Sequence, residues 1–188
     1  MPWTKVFLDK SEAERHLVQQ GLRTCTCREA ILEAQCSAME RDGRVFVIGE
    51  GVADPGAVFG TAAGLVDRFG PSRVIDTPIA ETVLAGVTLG SSIAGMHPVY
   101  VHLRTDFLPM CMDQLINHAA KWCYMTGGRV PAPMVVRAII GRGWGSAAQH
   151  AQALHPLFVH IPGLKVAMPA TPYDAKGLFL AAIEDANP

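Results

Sequence analysis

The sequence predicts an α/β protein: a three-layer αβα arrangement around a mostly parallel sheet. Three observations carry that expectation. Short β-branched runs at residues 45–48, 74–75, 99–103, 134–140 and 165–168 alternate with longer stretches of helical spacing. Strand, helix, strand, helix is the order that a parallel sheet covered on both faces satisfies most simply. Most of the runs close on a polar or glycine-bearing turn, at the edge where open α/β sheets hold their ligands. At 188 residues the chain has the size of one domain with a sizeable core.

Residues 1–25 form an amino-terminal arm. Its first 22 or so positions show no clear period, and it is expected to be partly helical and to pack on a partner or fray. Thr26 and Glu29 make a capping box, followed by Ala30, Ile31, Ala34, Ala38 and Met39 at helical spacing. That helix ends near Asp42-Gly43. After the strand at 45–48 comes Gly49-Glu50-Gly51 and a flexible stretch to Gly60. A helix over 61–69 is stopped by Gly70-Pro71, and a strand over 74–75 breaks at Asp76-Thr77-Pro78 before Glu81. Residues 80–96 form a helix rich in Ala, Gly and Ser, which suits close burial, including across a subunit interface. His97-Pro98 ends it and a strand over 99–103 follows. A long helix over 107–126 finishes at Gly127-Gly128. The strand over 134–140 leads into a loop, Gly141-Arg142-Gly143-Trp144-Gly145-Ser146. A strand over 165–168 and a helix over 172–184 complete the chain.

Composition excludes several functions. The net charge is −1 and there is no basic stripe, so nucleic acid is not an expected partner. No apolar run approaches the roughly 18–20 residues that span a bilayer, so no membrane partner is expected. Lys5, Asp9, Lys10, Glu12, Glu14 and Arg15 rule out a signal peptide at the amino end, and the cytoplasm is the default location. With 49% hydrophobic and 18% charged residues, the chain is apolar for a solitary domain, which favours burial against partners. The five cysteines (25, 27, 36, 111 and 123) are irregularly spaced, fit no zinc pattern and are read as reduced thiols. Gly49-x-Gly51 and Gly141-x-Gly143 do not complete a dinucleotide fingerprint. Walker, Gly-x-Ser-x-Gly and His-Glu-x-x-His motifs are missing.

Glu81 is the residue on which the chemistry converges. A carboxyl group flanked by Ile79, Val83 and Leu84 at a strand's end would lose solvation, raising its proton affinity toward a value useful for acid–base work. The plain alternative is that Glu81 stabilises a helix amino end through the helix dipole. Among the histidines, His150 stands out because it follows a Gly/Ser/Ala-rich loop at the carboxyl end of a strand.

Several blocks lie in the order of one family: Arg28-Glu29-Ala30, Val47-Ile48-Gly49-Glu50, Asp76-Thr77-Pro78-Ile79-Ala80-Glu81, Asp113-Gln114-Leu115-Ile116-Asn117, Ala148-Gln149-His150-Ala151-Gln152, Pro162-Gly163-Leu164-Lys165-Val166 and Thr171 to Leu178. In these the chain resembles the β subunit of thiamine-diphosphate-dependent 2-oxoacid dehydrogenases of the pyruvate, acetoin and branched-chain types. The resemblance covers residues 26–188, as a transketolase-like pyrimidine-binding domain. It implies that Glu81 hydrogen-bonds the aminopyrimidine of thiamine diphosphate. The imino tautomer so favoured takes the proton from the thiazolium carbon, the cofactor carrying the difficult chemistry. It implies that His150 lies in the substrate channel and assists the acyl acceptor, that Phe107 and Leu103 pack near the pyrimidine, and that Glu50 lies close to the cofactor. It also implies a potassium site at Met134, Ala182, Ile183, Asp185 and Asn187, although the last two also suit a plain turn. The diphosphate and its magnesium would belong to an α-type subunit, since no Gly-Asp-Gly motif is present. An α2β2-like heterotetramer and a lipoyl or other acyl-carrier partner follow from the same resemblance.

Val101-His102 stand where the family usually has Glu-Phe, and Arg104 is also unusual. His102 and Arg104 are therefore expected to recognise an anionic or hydroxylated donor, or a different acceptor. His150-Ala151-Gln152 stands for the usual His-Ser-Gln. The family's subunit continues into a carboxyl-terminal domain, whereas this sequence ends at Asn187-Pro188; that domain is expected on a separate chain, or the sequence is a truncated piece. The expected function is decarboxylation of a 2-oxoacid with acyl transfer, with partner chains completing the site. The alternatives are a split transketolase-like ketol transferase and a non-catalytic structural subunit, the latter opposed by an intact Glu81 and His150.

Overall fold

The computed structural model describes residues 9–141 and 146–188. Lys5, with the rest of the amino end to residue 8, and Arg142 to Gly145 of the glycine-bearing loop lie outside the described residues.

In chain order, α1 (Lys10–Gln19) and α2 (Cys27–Arg41) precede β1 (Val45–Gly49). Then come a single turn α3 (Ala57–Gly60), α4 (Leu65–Phe69), β2 (Val74–Asp76), α5 (Glu81–Ile93) and β3 (His97–Arg104). A helical tract over 105–125 ends in α6 (Ala120–Met125), and β4 (Val135–Ile139), α7 (Ala147–His150), α8 (Pro156–Val159) and α9 (Pro172–Glu184) follow. The four strands form one sheet in the order β2-β1-β3-β4, every pair parallel. The expected α/β class is what the structure has.

The period of two along the strands divides the core into two layers. Val45, Val47, Val99 and Val101 face α2 and α9, meeting Ala34, Ala38, Met39, Phe179 and Ile183. Phe46, Ile48 and Tyr100 face the other way, onto Leu84, Ala85 and Leu89 of α5 and Leu115 of the helical tract. β1 is buried along its whole length, which is why it reads as an unbroken apolar run rather than as an alternation. The capping box is formed: Thr26 Oγ1 accepts from the Glu29 N–H at 3.2 Å, and Glu29 Oε2 accepts from the Thr26 N–H at 2.7 Å.

Three expectations need correction. The helix over 61–69 begins only at Leu65, after a left-handed Gly64, and the turn before it holds Val58 and Phe59 at positive φ. The helix over 107–126 is not one α-helix. It runs as a 3₁₀ segment (Thr105–Cys111), a π segment (Asp113–Ala119) and then α6, with Pro109, which has no N–H to donate, in the first. Residues 165–168 form no strand. The Lys165 N–H is taken by the Pro188 carbonyl at 3.0 Å, and a cavity of about 160 Å³ bounded by Val136, Ala138, Ala167 and Met168 lies between this segment and β4. Helix α5 is buried on one face only, for Val83 and Val87 are exposed. No helix among the described residues is long and apolar enough to cross a membrane.

Candidate active site

Because the strands are parallel, their carboxyl ends share one rim. Glu50 directly follows β1, and residues 77–80 carry the chain from β2 to Glu81, the first residue of α5. β3 brings Tyr100, His102 and Leu103 to the same place. The rim holds a cavity of about 270 Å³ lined by Glu50, Pro78, Ile79, Ala80, Glu81, Leu84, Tyr100, Val101, His102, Leu103, Phe107 and His150. Of the sequence-predicted site residues, Glu50, Glu81, His102, Leu103, Phe107 and His150 therefore meet in one place, from five separate stretches of chain.

The first turn of α5 is fixed from below. The Tyr100 hydroxyl and the Cys111 thiol both donate to the Glu81 carbonyl, at 3.4 and 3.3 Å, and Thr82 Oγ1 donates to the Met110 carbonyl at 2.8 Å. Burial and the nearby Glu81 charge push the Cys111 thiol up to about 11, and burial raises the Tyr100 hydroxyl as well. Both groups stay protonated and keep donating. Burial, then the charges of Glu81 and Asp76, raise the Glu50 carboxyl above its ordinary range.

His150 stands edge-on to Phe107, with ring centroids 5.2 Å apart. Its short helix is tied to the 3₁₀ segment: Thr105 Oγ1 donates to the Gln152 carbonyl at 2.8 Å, and Asp106 accepts from Gln152. His102 is 3% exposed, and its Nδ1 lies 3.0 Å from the Arg104 carbonyl. A carbonyl can only accept, so Nδ1 carries the proton and Nε2 is a bare acceptor. Nε2 is buried and has no hydrogen-bond partner among the described residues. Burial lowers the imidazole's pKa, with Glu81 opposing, so the neutral ring is favoured.

Two expectations about this site change. Arg104 does not line the cavity; it is 4% exposed and its guanidinium lies over the Phe59 ring, 5.0 Å from the centroid. Two residues apart, His102 and Arg104 would share a face of a regular strand; the register shift between Val101 and Arg104 in the β3–β4 pairing separates them, and His102 lines the cavity. Ile79 and Val83, expected to desolvate Glu81, are 71% and 64% exposed. The apolar wall beside Glu81 comes from Leu84, Val101, Leu103 and Phe107. Sequence reasoning missed Tyr100, Cys111, Thr105 and Asp106. The signal for Tyr100 was a hydroxyl inside an otherwise aliphatic strand.

The lining suits a flat, amine-bearing heterocycle: two carboxylates that can accept from it and an aromatic wall. Among the described residues, no Lys or Arg lines the cavity to meet a diphosphate. No group of three or more His, Cys, Asp or Glu side chains among the described residues is placed to hold a metal ion. The residues expected around potassium do converge, for Met134, Ala182, Asp185 and Asn187 line one cavity of about 220 Å³. Within the chain, Asp185 pairs with the Lys165 ammonium and accepts from the Asn187 N–H, and the Ile183 carbonyl lies 3.2 Å from His97 Nδ1.

Residues 23–188 match the family model described as the transketolase pyrimidine-binding domain. Among curated proteins, the chain is 44% identical over 178 residues to the acetoin:2,6-dichlorophenolindophenol oxidoreductase subunit beta of Bacillus subtilis (88% of this chain, 52% of that protein). It is 46% identical over 160 residues to the 2-oxoisovalerate dehydrogenase subunit beta of the same organism (85% and 49%). It is 45% identical over 163 residues to the pyruvate dehydrogenase E1 component subunit beta of Rickettsia conorii (87% and 50%). The chain thus spans about half the length of these relatives. A solved structure described as "Split gene transketolase, inactive beta4 tetramer" shares the fold with a TM-score of 0.66 at 20% identity, over 88% of this chain and 50% of that one. Together, the parallel sheet, the rim cavity and the match over residues 23–188 establish that this chain belongs to the transketolase pyrimidine-binding-domain family.

Proposed function

We propose that this chain supplies the aminopyrimidine half of an active site in a thiamine-diphosphate-dependent enzyme. That enzyme decarboxylates a 2-oxoacid and passes the acyl group to a lipoyl or other carrier. An α-type partner chain holds the diphosphate and magnesium. The observation that carries the proposal is the meeting of Glu81, Glu50, Phe107 and His150 in one cavity that, among the described residues, has carboxylates but no Lys or Arg. Thiamine diphosphate, when bound, supplies the carbon nucleophile that attacks the donor's carbonyl.

The protein's part is orientation and proton handling. The Glu81 carboxylate accepts a hydrogen bond from a protonated ring nitrogen, and Tyr100 and Cys111 hold its backbone so that the side chain meets the ring in a fixed place. Phe107, Leu103 and Leu84 keep one side of the ring dry. His150, steadied against Phe107, lies within reach of the substrate and moves a proton to or from the acceptor.

The test is co-expression with an α-type chain, followed by titration of thiamine diphosphate with magnesium and assay of several 2-oxoacids. Glu81→Gln should lower turnover about 100-fold or more while the complex stays assembled, in keeping with a lost proton-transfer partner. A complex that binds the cofactor and turns over equally well with Gln at this position would refute the assignment.

A further inference from the structure

His102 is the feature of the cavity that the proposed function leaves unused. Its ring forms part of the wall that also contains Glu81, and it is 3% exposed. Nδ1 is committed to the Arg104 carbonyl at 3.0 Å, a hydrogen bond that a ring flip would give up, and Tyr100 packs edge-on at 5.5 Å. That leaves Nε2 as an acceptor with no donor among the described residues. A buried acceptor left unpaired costs free energy, and a ligand that donates to it recovers that cost.

The chemistry of the neighbours narrows the ligand. Among the described residues, the groups facing the cavity beside His102 are the carboxylates of Glu50 and Glu81, the Tyr100 ring and the His150 imidazole, with no Lys or Arg. An anionic group placed against Nε2 would meet a lone pair and two carboxylates. A hydroxyl would instead find an acceptor.

We infer that His102 reads a hydroxyl on the donor substrate, its Nε2 accepting a hydrogen bond from an O–H on the carbon next to the reacting carbonyl. This rests on the proposed function and names the substrate class for the same site. Two kinds of donor carry that hydroxyl: a 3-hydroxy-2-oxoacid and a 2-hydroxyketone. A site built around a buried acceptor also discriminates against the analogue that lacks the hydroxyl, because the acceptor then stays unpaired.

The experiment uses the full chain assembled with its α-type partner, thiamine diphosphate and magnesium. Rates are compared within two pairs: hydroxypyruvate against pyruvate, and acetoin against butane-2,3-dione. In at least one pair the hydroxylated member should be preferred about tenfold or more in kcat/KM. The pair that shows the preference identifies the source of the hydroxyl. His102→Leu should erase that ratio, and His102→Gln, which can present an amide oxygen, should keep part of it. A second readout needs no turnover: nitrogen-15 NMR of the labelled complex should show His102 as the Nδ1–H tautomer, its Nε2 resonance moving when the hydroxylated donor is added to a Glu81→Gln complex. Turnover without preference in either pair, or an Nε2–H tautomer, overturns this inference alone. No turnover of either 2-oxoacid overturns the proposed function, and no turnover of any of the four donors overturns this inference with it.

Discussion

Asp106 Oδ1 holds Gln152 by two atoms, accepting from its backbone N–H at 3.2 Å and from its side-chain amide at 3.0 Å. The contact joins the start of the 3₁₀ segment, which carries Phe107, to the stretch just after His150. It sets the edge-on geometry of those two rings from outside the cavity. Asp106→Ala should lower kcat/KM about tenfold or more by letting His150 drift, while cofactor affinity changes little. Calorimetric titration of thiamine diphosphate beside steady-state kinetics separates the two effects. Equal losses in binding and in turnover would mean that the contact serves the fold rather than His150.

Glu50 should make the protein less stable as pH rises. Its carboxyl is raised above the ordinary 4.5 by burial, then by Glu81 and Asp76. A group whose folded pKa is raised gives its full contribution below its unfolded value and loses it as pH passes through the folded one. Glu50→Gln should therefore raise Tm at pH 7–8 and leave it close to wild type below pH 4. Thermal unfolding followed by circular dichroism across that range checks the sign.

Asp42 works at the other end of the scale. The Arg44 guanidinium and backbone N–H hold its carboxyl at about 2. Its contribution is present above the ordinary carboxylate value and is lost as pH falls through about 2. Asp42→Asn should remove that part of the acid unfolding transition and leave the alkaline side unchanged, as acid titration of the two proteins would show.

The five thiols should separate by reactivity. Cys27 is exposed, whereas Cys111 is buried with its thiol pushed up to about 11. At pH 8 about one Cys111 in a thousand is thiolate, before its inaccessibility is counted. Iodoacetamide followed by peptide mapping should label Cys27 well before Cys111, and unfolding in urea should remove the difference.

Gly49 is a close-approach position. A Cβ there would stand 2.3 Å from the Val101 carbonyl oxygen, in the register where β1 meets β3. Gly49→Ala should cost about 1–3 kcal/mol, typical of forced overpacking, and should displace Glu50 as well. Urea unfolding gives the first quantity and cofactor titration the second.

The sequence made the runs of β1, β2, β3 and β4 legible because each is short, β-branched and bounded by turn residues. The capping box at Thr26 was legible because it is a purely local arrangement. The stretch 165–168 misled for the same reason that the others succeeded: its local composition suits a strand, yet the Pro188 carbonyl takes its Lys165 N–H. At the site, Glu81 and His150 were readable from their places after strands. The parts played by Tyr100, Cys111 and Asp106 depend on contacts across 19 to 46 residues of chain, which no local pattern carries. The orientation of Arg104 toward Phe59 and of His102 toward the cavity was likewise set by packing rather than by composition.

The strand order has a consequence for how the molecule is made. β1 is central but early, pairing through Val47 with Val74 and through Val45 with His97, and β3 in turn waits for Val135. No strand in the sheet can close on its immediate successor by a simple hairpin, so every ladder requires a long loop to be closed first. On a ribosome, an apolar β1 emerges well before either of its partners and stays unpaired until β2 and β3 have been translated. The pocket at the rim, drawing on residues from Glu50 to His150, is then among the last parts of the domain to exist, and a nascent chain has no partial version of it.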